Sequence, residues 1–269
     1  MPYGDATSVL FKGIDAPADG FAMRRIVGGA ACRSLRVRRR AGLVALVLAL
    51  AAAVGAQSVL ASHRAITRAD ANAIATAISV RHSDLPSLKQ ESNPTTAHEK
   101  ALSAQATRCA GGVPVSKAYA NTQSDLFVSS GQAATIASGV EILPSASLVA
   151  QDFAAIERSR ALTCLLSEYQ AAIGPSLSSG QKLISSRASR LPPALSGGED
   201  NFAIRMTFVV AAKQGSTTVN VPVYLDELGF ADGQAEISLE LQTTLNAPAA
   251  SLEQRLMRVL LARAQSAIG

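Results

Sequence analysis

From Ala41 to Ser62 the chain carries no charged side chain, and Gln57 is the most polar residue of the stretch. At 1.5 Å per residue a helix of this length spans roughly 33 Å, enough for a hydrocarbon core of about 30 Å. Arg36, Arg38, Arg39 and Arg40 crowd one end, while His63, Arg64 and Arg68 flank the other more weakly. Positive flanks stay in the cytoplasm. The run therefore predicts a single-pass protein with residues 1–40 as a basic cytoplasmic tail, 41–62 as a transmembrane helix and the rest outside. A cleaved signal peptide competes with this reading. Val54-Gly55-Ala56 and Val59-Leu60-Ala61 both resemble small-residue cleavage sites, and a start at Met23 would shorten the basic region in front. The long segment ahead of the run favours an uncleaved anchor. Under either reading the C-terminal part is extracytoplasmic.

The net charge of +5 sits in front of the apolar run: residues 1–40 hold eight basic and three acidic residues, and the remainder holds seventeen of each. A nucleic-acid binder carries its basic footprint on the folded domain. The excess here is a topology signal, and no nucleic-acid partner is expected. Cys32 precedes the run and lies on the reducing side; Cys109 and Cys164 follow it, on the oxidising side. Two cysteines in an exported domain read as one disulfide. A reactive thiol or a metal pair is the alternative, disfavoured because no histidine or third cysteine lies nearby.

Residues 63–101 read as an Ala-rich stalk, with Ile66, Ala69, Ala73, Ile74, Ala77 and Ile78 on one helical stripe, followed by a polar linker containing Pro86 and Pro94. A folded domain is expected over 102–269. It opens with β-prone pieces on either side of Gly131. A helical stretch follows from Ser145 to Ile173, divided near Arg158-Ser159. Three strands then alternate apolar and polar side chains: Phe202, Ile204, Met206 and Phe208; Val219, Val221, Val223 and Leu225; Ile237, Leu239 and Leu241. Period two with one apolar face predicts half-buried antiparallel strands. Asp232-Gly233 is a hairpin signal, and Pro222 predicts an edge strand or a bulge. A closing amphipathic helix carries Leu252, Leu256, Val259 and Leu260 and should pack on the apolar sheet face. The fold class is α+β, an antiparallel sheet flanked by helices and preceded by one transmembrane helix.

The three histidines, His63, His82 and His98, all lie in the expected stalk and linker. A Ser-His-Asp triad, a Cys-His pair and a histidine-ligated metal therefore have no residues inside the expected domain, and neither metal nor cofactor is expected. The remaining catalytic option is a pair of carboxylates, as in a glycan hydrolase. Glu199-Asp200 and Asp226-Glu227 are the candidates, both read as exposed turns. The polar sides of the three strands offer a candidate binding face of Arg205, Thr207, Asn220, Tyr224, Glu236, Glu240 and Gln242. A solvated outer face is the plainer reading of such a sheet.

The order of these pieces resembles a family. A cysteine before the first strands is followed by ALTCLL in a central helical segment, a GEDNFAIRMTF strand, a pair of strands and a closing LEQRLMRVLLARA helix. This is similar to the PsbP-like α/β sandwich domains of actinobacterial envelope proteins, among them cell-wall lipoproteins and extracytoplasmic sensor domains of Ser/Thr kinases. The resemblance implies a non-enzymatic module that binds an envelope lipid, a glycan or a protein partner. It also implies a disulfide position at Cys109 and Cys164 and an Arg at the place of Arg205. The chain departs from the family in lacking a lipid-modified cysteine, a second exported cysteine pair and a cytoplasmic kinase.

Overall fold

The structure, a computed structural model, describes residues 65–195, 200–214 and 217–269. The expected membrane run, Cys32, His63 and Glu199 lie outside these residues. No helix among the described residues is long and apolar enough to cross a membrane.

Among the described residues five α-helices and eight strands follow the order α1 (Ala71–Ile78), β1 (Lys89–Glu91), α2 (Ala97–Ala110), β2 (Ala120–Gln123), β3 (Leu126–Val128), β4 (Ala134–Ile142), α3 (Ala146–Ile156), α4 (Ser159–Ser176), β5 (Gln181–Arg190), β6 (Asn201–Gln214), β7 (Thr217–Asp232), β8 (Ala235–Thr244) and α5 (Ala250–Ile268). The strands make one antiparallel sheet in the order β1-β3-β4-β8-β7-β6-β5, with β2 pairing β4 beyond the end of β3. The fold is α+β with helices on both sides of this sheet. Phe127 opposite Ile136 closes the hairpin expected around Gly131. The central helical segment divides at Arg158, the residue that precedes α4.

Two cores result. On one face α1 and α5 bring Ala71, Ala75, Ile78, Leu256, Met257 and Leu260 onto Val140, Leu228, Phe230, Ile237, Leu239 and Leu241. On the other, α3 and α4 bring Val149, Phe153, Leu165 and Tyr169 onto Phe202, Ile204, Met206, Phe208, Val223 and Leu225. Strand β7 feeds both. Its apolar residues are odd-numbered up to Leu225 and even-numbered from Leu228, so the strand changes core at Asp226-Glu227. That dipeptide is the buried middle of a strand, not an exposed turn: Asp226 pairs with Arg205 and Glu227 with Ile204.

Three further expectations change. From residue 65 onward, the segment read as stalk and linker belongs to the fold. Ile66, Ala71, Ala75 and Ile78 are buried in the first core, and β1 pairs β3. Of the stripe read from the sequence only Ile66 and Ile78 are buried; Ala69 and Ala73 are exposed, and the helix packs through Ala71 and Ala75 instead. Helix α2 starts on a reciprocal cap, with Thr96 accepting from the Glu99 N–H and Glu99 accepting from the Thr96 N–H. Pro222 lies on β7, between β6 and β8 rather than on an edge strand. Its carbonyl accepts from Leu245 at 3.0 Å, so its ring nitrogen faces the same side, one residue beyond the last β7–β8 pair, Val223 with Thr244. The missing donor falls where β8 has already ended.

Gly229 illustrates how tightly the second core closes. A Cβ at this position would lie 2.3 Å from the Phe202 ring and 3.1 Å from the Ile237 carbonyl oxygen. Phe202 in turn packs on Phe153, with ring centroids 5.6 Å apart. Gly229→Ala is expected to destabilise the fold by about 1–3 kcal/mol through overpacking. Adding Phe202→Leu should recover part of that loss, and a urea-midpoint cycle of the two substitutions measures it. Additive effects would show that the ring is not what the new methyl meets.

Candidate functional site

The residues expected to share one binding face are divided between two. Cross-strand register places Arg205, Thr207, Asn220 and Tyr224 on the side of α1 and α5. Glu236, Glu240 and Gln242 point to the side of α3 and α4, because the β8 stripe Ile237–Leu239–Leu241 fills the α5 core. The apolar stripes of β6 and β8 face opposite ways, which alternation within each strand does not reveal.

On the α5 side, α5 packs over β7 and β8 and α1 over β2 and β4. Beyond them lies a part of the sheet on which neither α1 nor α5 packs among the described residues, built from β5, β6 and the first half of β7. Arg187, Thr207, Tyr224 and Thr243 stand directly across from one another on four strands. Ser185, Val209 and Pro222 form the next row, and Lys182, Ala211 and Asn220 the one after. Lys213 ends the same face of β6. Strands β5 and β6 and residues 217–225 contain five basic residues and no acidic one. The neutral composition of the chain after residue 40 thus conceals a segregation of charge. Lys182, Arg187 and Lys213 are exposed and make no ion pair among the described residues.

Arg205 borders this surface but is committed inward. Its Nε donates to Asp226 Oδ1 at 2.6 Å and a second guanidinium nitrogen donates to Oδ2. Glu253 of α5 lies 3.9 Å away. Burial pushes the Glu253 carboxyl up to about 8, reinforced by its hydrogen bond to Asp226 and by that residue's negative charge and opposed by Arg205. At neutral pH the cluster is therefore one cation, one anion and a neutral acid.

The opposite face holds a second acidic cluster, closed by α4. The Tyr169 hydroxyl lies 2.9 Å from Glu227 Oε1 and 3.2 Å from Glu240 Oε2. A phenol has one proton to give, so the second contact needs a carboxyl proton. Burial raises Glu227 to about 7 against the Tyr169 hydrogen bond, and it raises Glu240 well above the usual range, with the charge of Glu227 adding to it. Glu227 is only 1% exposed, so this pair lies beneath α4 and not across an open cleft. Its proton makes stability depend on pH. The folded chain keeps a proton on Glu227 between pH 4.5 and about 7, where the unfolded chain has lost it. Stability therefore falls as pH rises through that window. Glu227→Gln keeps an acceptor for Tyr169 and should remove this residue's share of the decline, a gain of about 3 kcal/mol above pH 7, while the raised carboxyls of Glu240 and Glu253 keep theirs. Urea titrations at pH 5 and pH 8 test this. An unchanged pH slope would assign the proton elsewhere.

Beside this cluster, a shallow cleft opens over Gly139 and Ser238, between Phe153, Phe202, Glu141 and Glu236. Its volume of about 30 Å³ holds little more than water. Asn121 Nδ2 donates to Glu141 at 2.9 Å on its rim.

A disulfide joins Cys109 of α2 to Cys164 of α4, with Cα atoms 5.9 Å apart. Cys164 is buried and Cys109 is exposed. His82 and His98 are exposed, and among the described residues no three His, Cys, Asp or Glu side chains are grouped to hold a metal ion.

The crystal structure of the extracellular domain of PknH from Mycobacterium tuberculosis superposes on the chain with a TM-score of 0.40 at 8% identity, covering 76% of this chain and 100% of that one. A likeness this weak establishes neither a shared fold nor a shared role. No protein-family model matches the sequence, and no curated protein matches it.

Proposed function

We propose that the chain is a membrane-anchored, N-in protein that presents residues 65–269 outside the membrane as a non-enzymatic binding module of the PsbP-like kind. The observation that carries the binding role is the uncovered half of the α5-side face. A sheet that is covered by helices elsewhere leaves Arg187 and Asn220 exposed and Tyr224 half-exposed to a partner, with Thr207 buried between them. The charge-free run of 41–62 behind its four arginines supports the topology, and a disulfide suits an oxidising compartment. The closure of Glu227 beneath α4 supports a role other than carboxylate catalysis.

Asn220→Cys tests location and availability together. A membrane-impermeant maleimide is expected to label this position on intact cells, and more slowly than on the purified protein, because a ligand covers the face. Labelling only after permeabilisation would overturn the topology. Equal rates in cells and in purified protein would overturn occupancy of the face.

A further inference from the structure

We propose that the open face of β5, β6 and β7 binds an anionic glycan, a sugar chain bearing carboxylate or phosphate groups. The proposal rests on the binding role argued above and gives it a ligand class.

Charge comes first. Lys182, Arg187 and Lys213 face solvent with no counter-ion among the described residues, and no acidic residue occurs on β5, β6 or residues 217–225. The nearby Asp226 is spent on Arg205, and Glu253 stays neutral to about pH 8. An arginine with an unused guanidinium fork suits the paired oxygens of a carboxylate or phosphate.

Shape and chemistry narrow the partner. Arg187 and Tyr224 stand two strands apart, roughly 10 Å, a separation on the scale of neighbouring sugars. Tyr224 offers a ring to stack on, and the exposed Asn220 offers an amide to sugar hydroxyls. Val209 and Pro222 are half-buried and Ala211 is buried, while the exposed Ile184 at the β5 bulge and Leu245 beside Pro222 are the apolar side chains a sugar ring would meet at the edges of the face.

Position argues against the membrane that would carry the anchor. The chain enters the fold at Ile66, whose N–H is held by the Gln234 side chain at 2.7 Å, beside the β7–β8 turn. Tyr224 and Asn220 lie eight and twelve residues back along β7 from Asp232, roughly 26 and 40 Å. The face is remote from the attachment point.

The test uses the full-length chain in phosphatidylcholine nanodiscs with fluorescent probes: hexagalacturonate, phosphomannan fragments, neutral maltohexaose, hexaglutamate and a single-stranded oligonucleotide. Binding of hexagalacturonate or phosphomannan is expected, and the tighter of the two names the anion. Arg187→Ser and Tyr224→Leu should each weaken it about tenfold, while Arg187→Lys loses less and the remote Arg108→Ser changes nothing. Maltohexaose should not bind. Hexaglutamate or the oligonucleotide binding as tightly as the glycans would overturn the assignment, as would indifference to Tyr224→Leu. So would recruitment to phosphatidylglycerol nanodiscs stronger than to any glycan. Should no anionic glycan bind while Asn220→Cys remains labelled from outside and protected in cells, the ligand class falls and the binding role stands. Failure of that labelling removes both.

Discussion

Arg205→Met is expected to destabilise the fold by about 3–5 kcal/mol at neutral pH. Asp226 is fully buried and takes both of its strong hydrogen bonds from this one guanidinium. Methionine fills similar volume but leaves a carboxylate in the interior with no cation beside it. Glu253, held neutral to about pH 8, can share a hydrogen bond with Asp226 but supplies no positive charge to replace the guanidinium. The penalty should shrink as pH falls, because protonating the orphaned carboxylate removes the charge. Arg205→Met combined with Asp226→Leu should recover most of the stability, since a buried ion pair exchanged for apolar side chains costs little. The chain has no tryptophan, so urea unfolding followed by circular dichroism supplies the midpoints. A single substitution within 1 kcal/mol of the parent at pH 7 would mean that water reaches Asp226 and that the cluster is surface chemistry.

Loss of the disulfide is the other large effect. The bridge closes a loop over a sequence separation of 55, for which chain entropy gives about 4 kcal/mol. Cys109→Ala with Cys164→Ala should lose an amount near this, and reductant should lower the parent to the level of the double variant while leaving the variant unmoved. Exposure of Cys109 gives the reductant access. A parent indifferent to reductant after full reduction would show that packing between α2 and α4 suffices without the bond.

Much of the fold was legible. The strands over 201–244 announce themselves through alternation, and the division of α3 from α4 through a break in helical spacing. What alternation withholds is the choice of face. On β7 that choice was nevertheless written down: VNVPVYL changes parity at Asp226-Glu227 to give Leu228 and Phe230. Two adjacent acids in a strand point to opposite sides, and each here meets its own partner, Arg205 or Tyr169. Reading them as a turn hid the crossover and merged two faces into one candidate site. Helix α2 was also signalled, by Thr96 and Glu99 at capping-box spacing. Strand β5 was not. QKLISSRASR is polar on both sides, as suits an edge strand with a bulge between Leu183 and Ser185, and such a strand leaves no hydrophobic period to detect. With β5 unseen, Lys182 and Arg187 could not be joined to Thr207 and Tyr224.

The bridge between α2 and α4 also decides what a protease can achieve. Strands β2, β3 and β4 and helix α3 all lie inside the covalent loop. A single cut between residues 110 and 163 therefore releases nothing: the two pieces stay tied, and the nicked chain keeps its central strand β4 in place against β8. Shedding the module requires a cut outside that interval, or a reductant working alongside the protease.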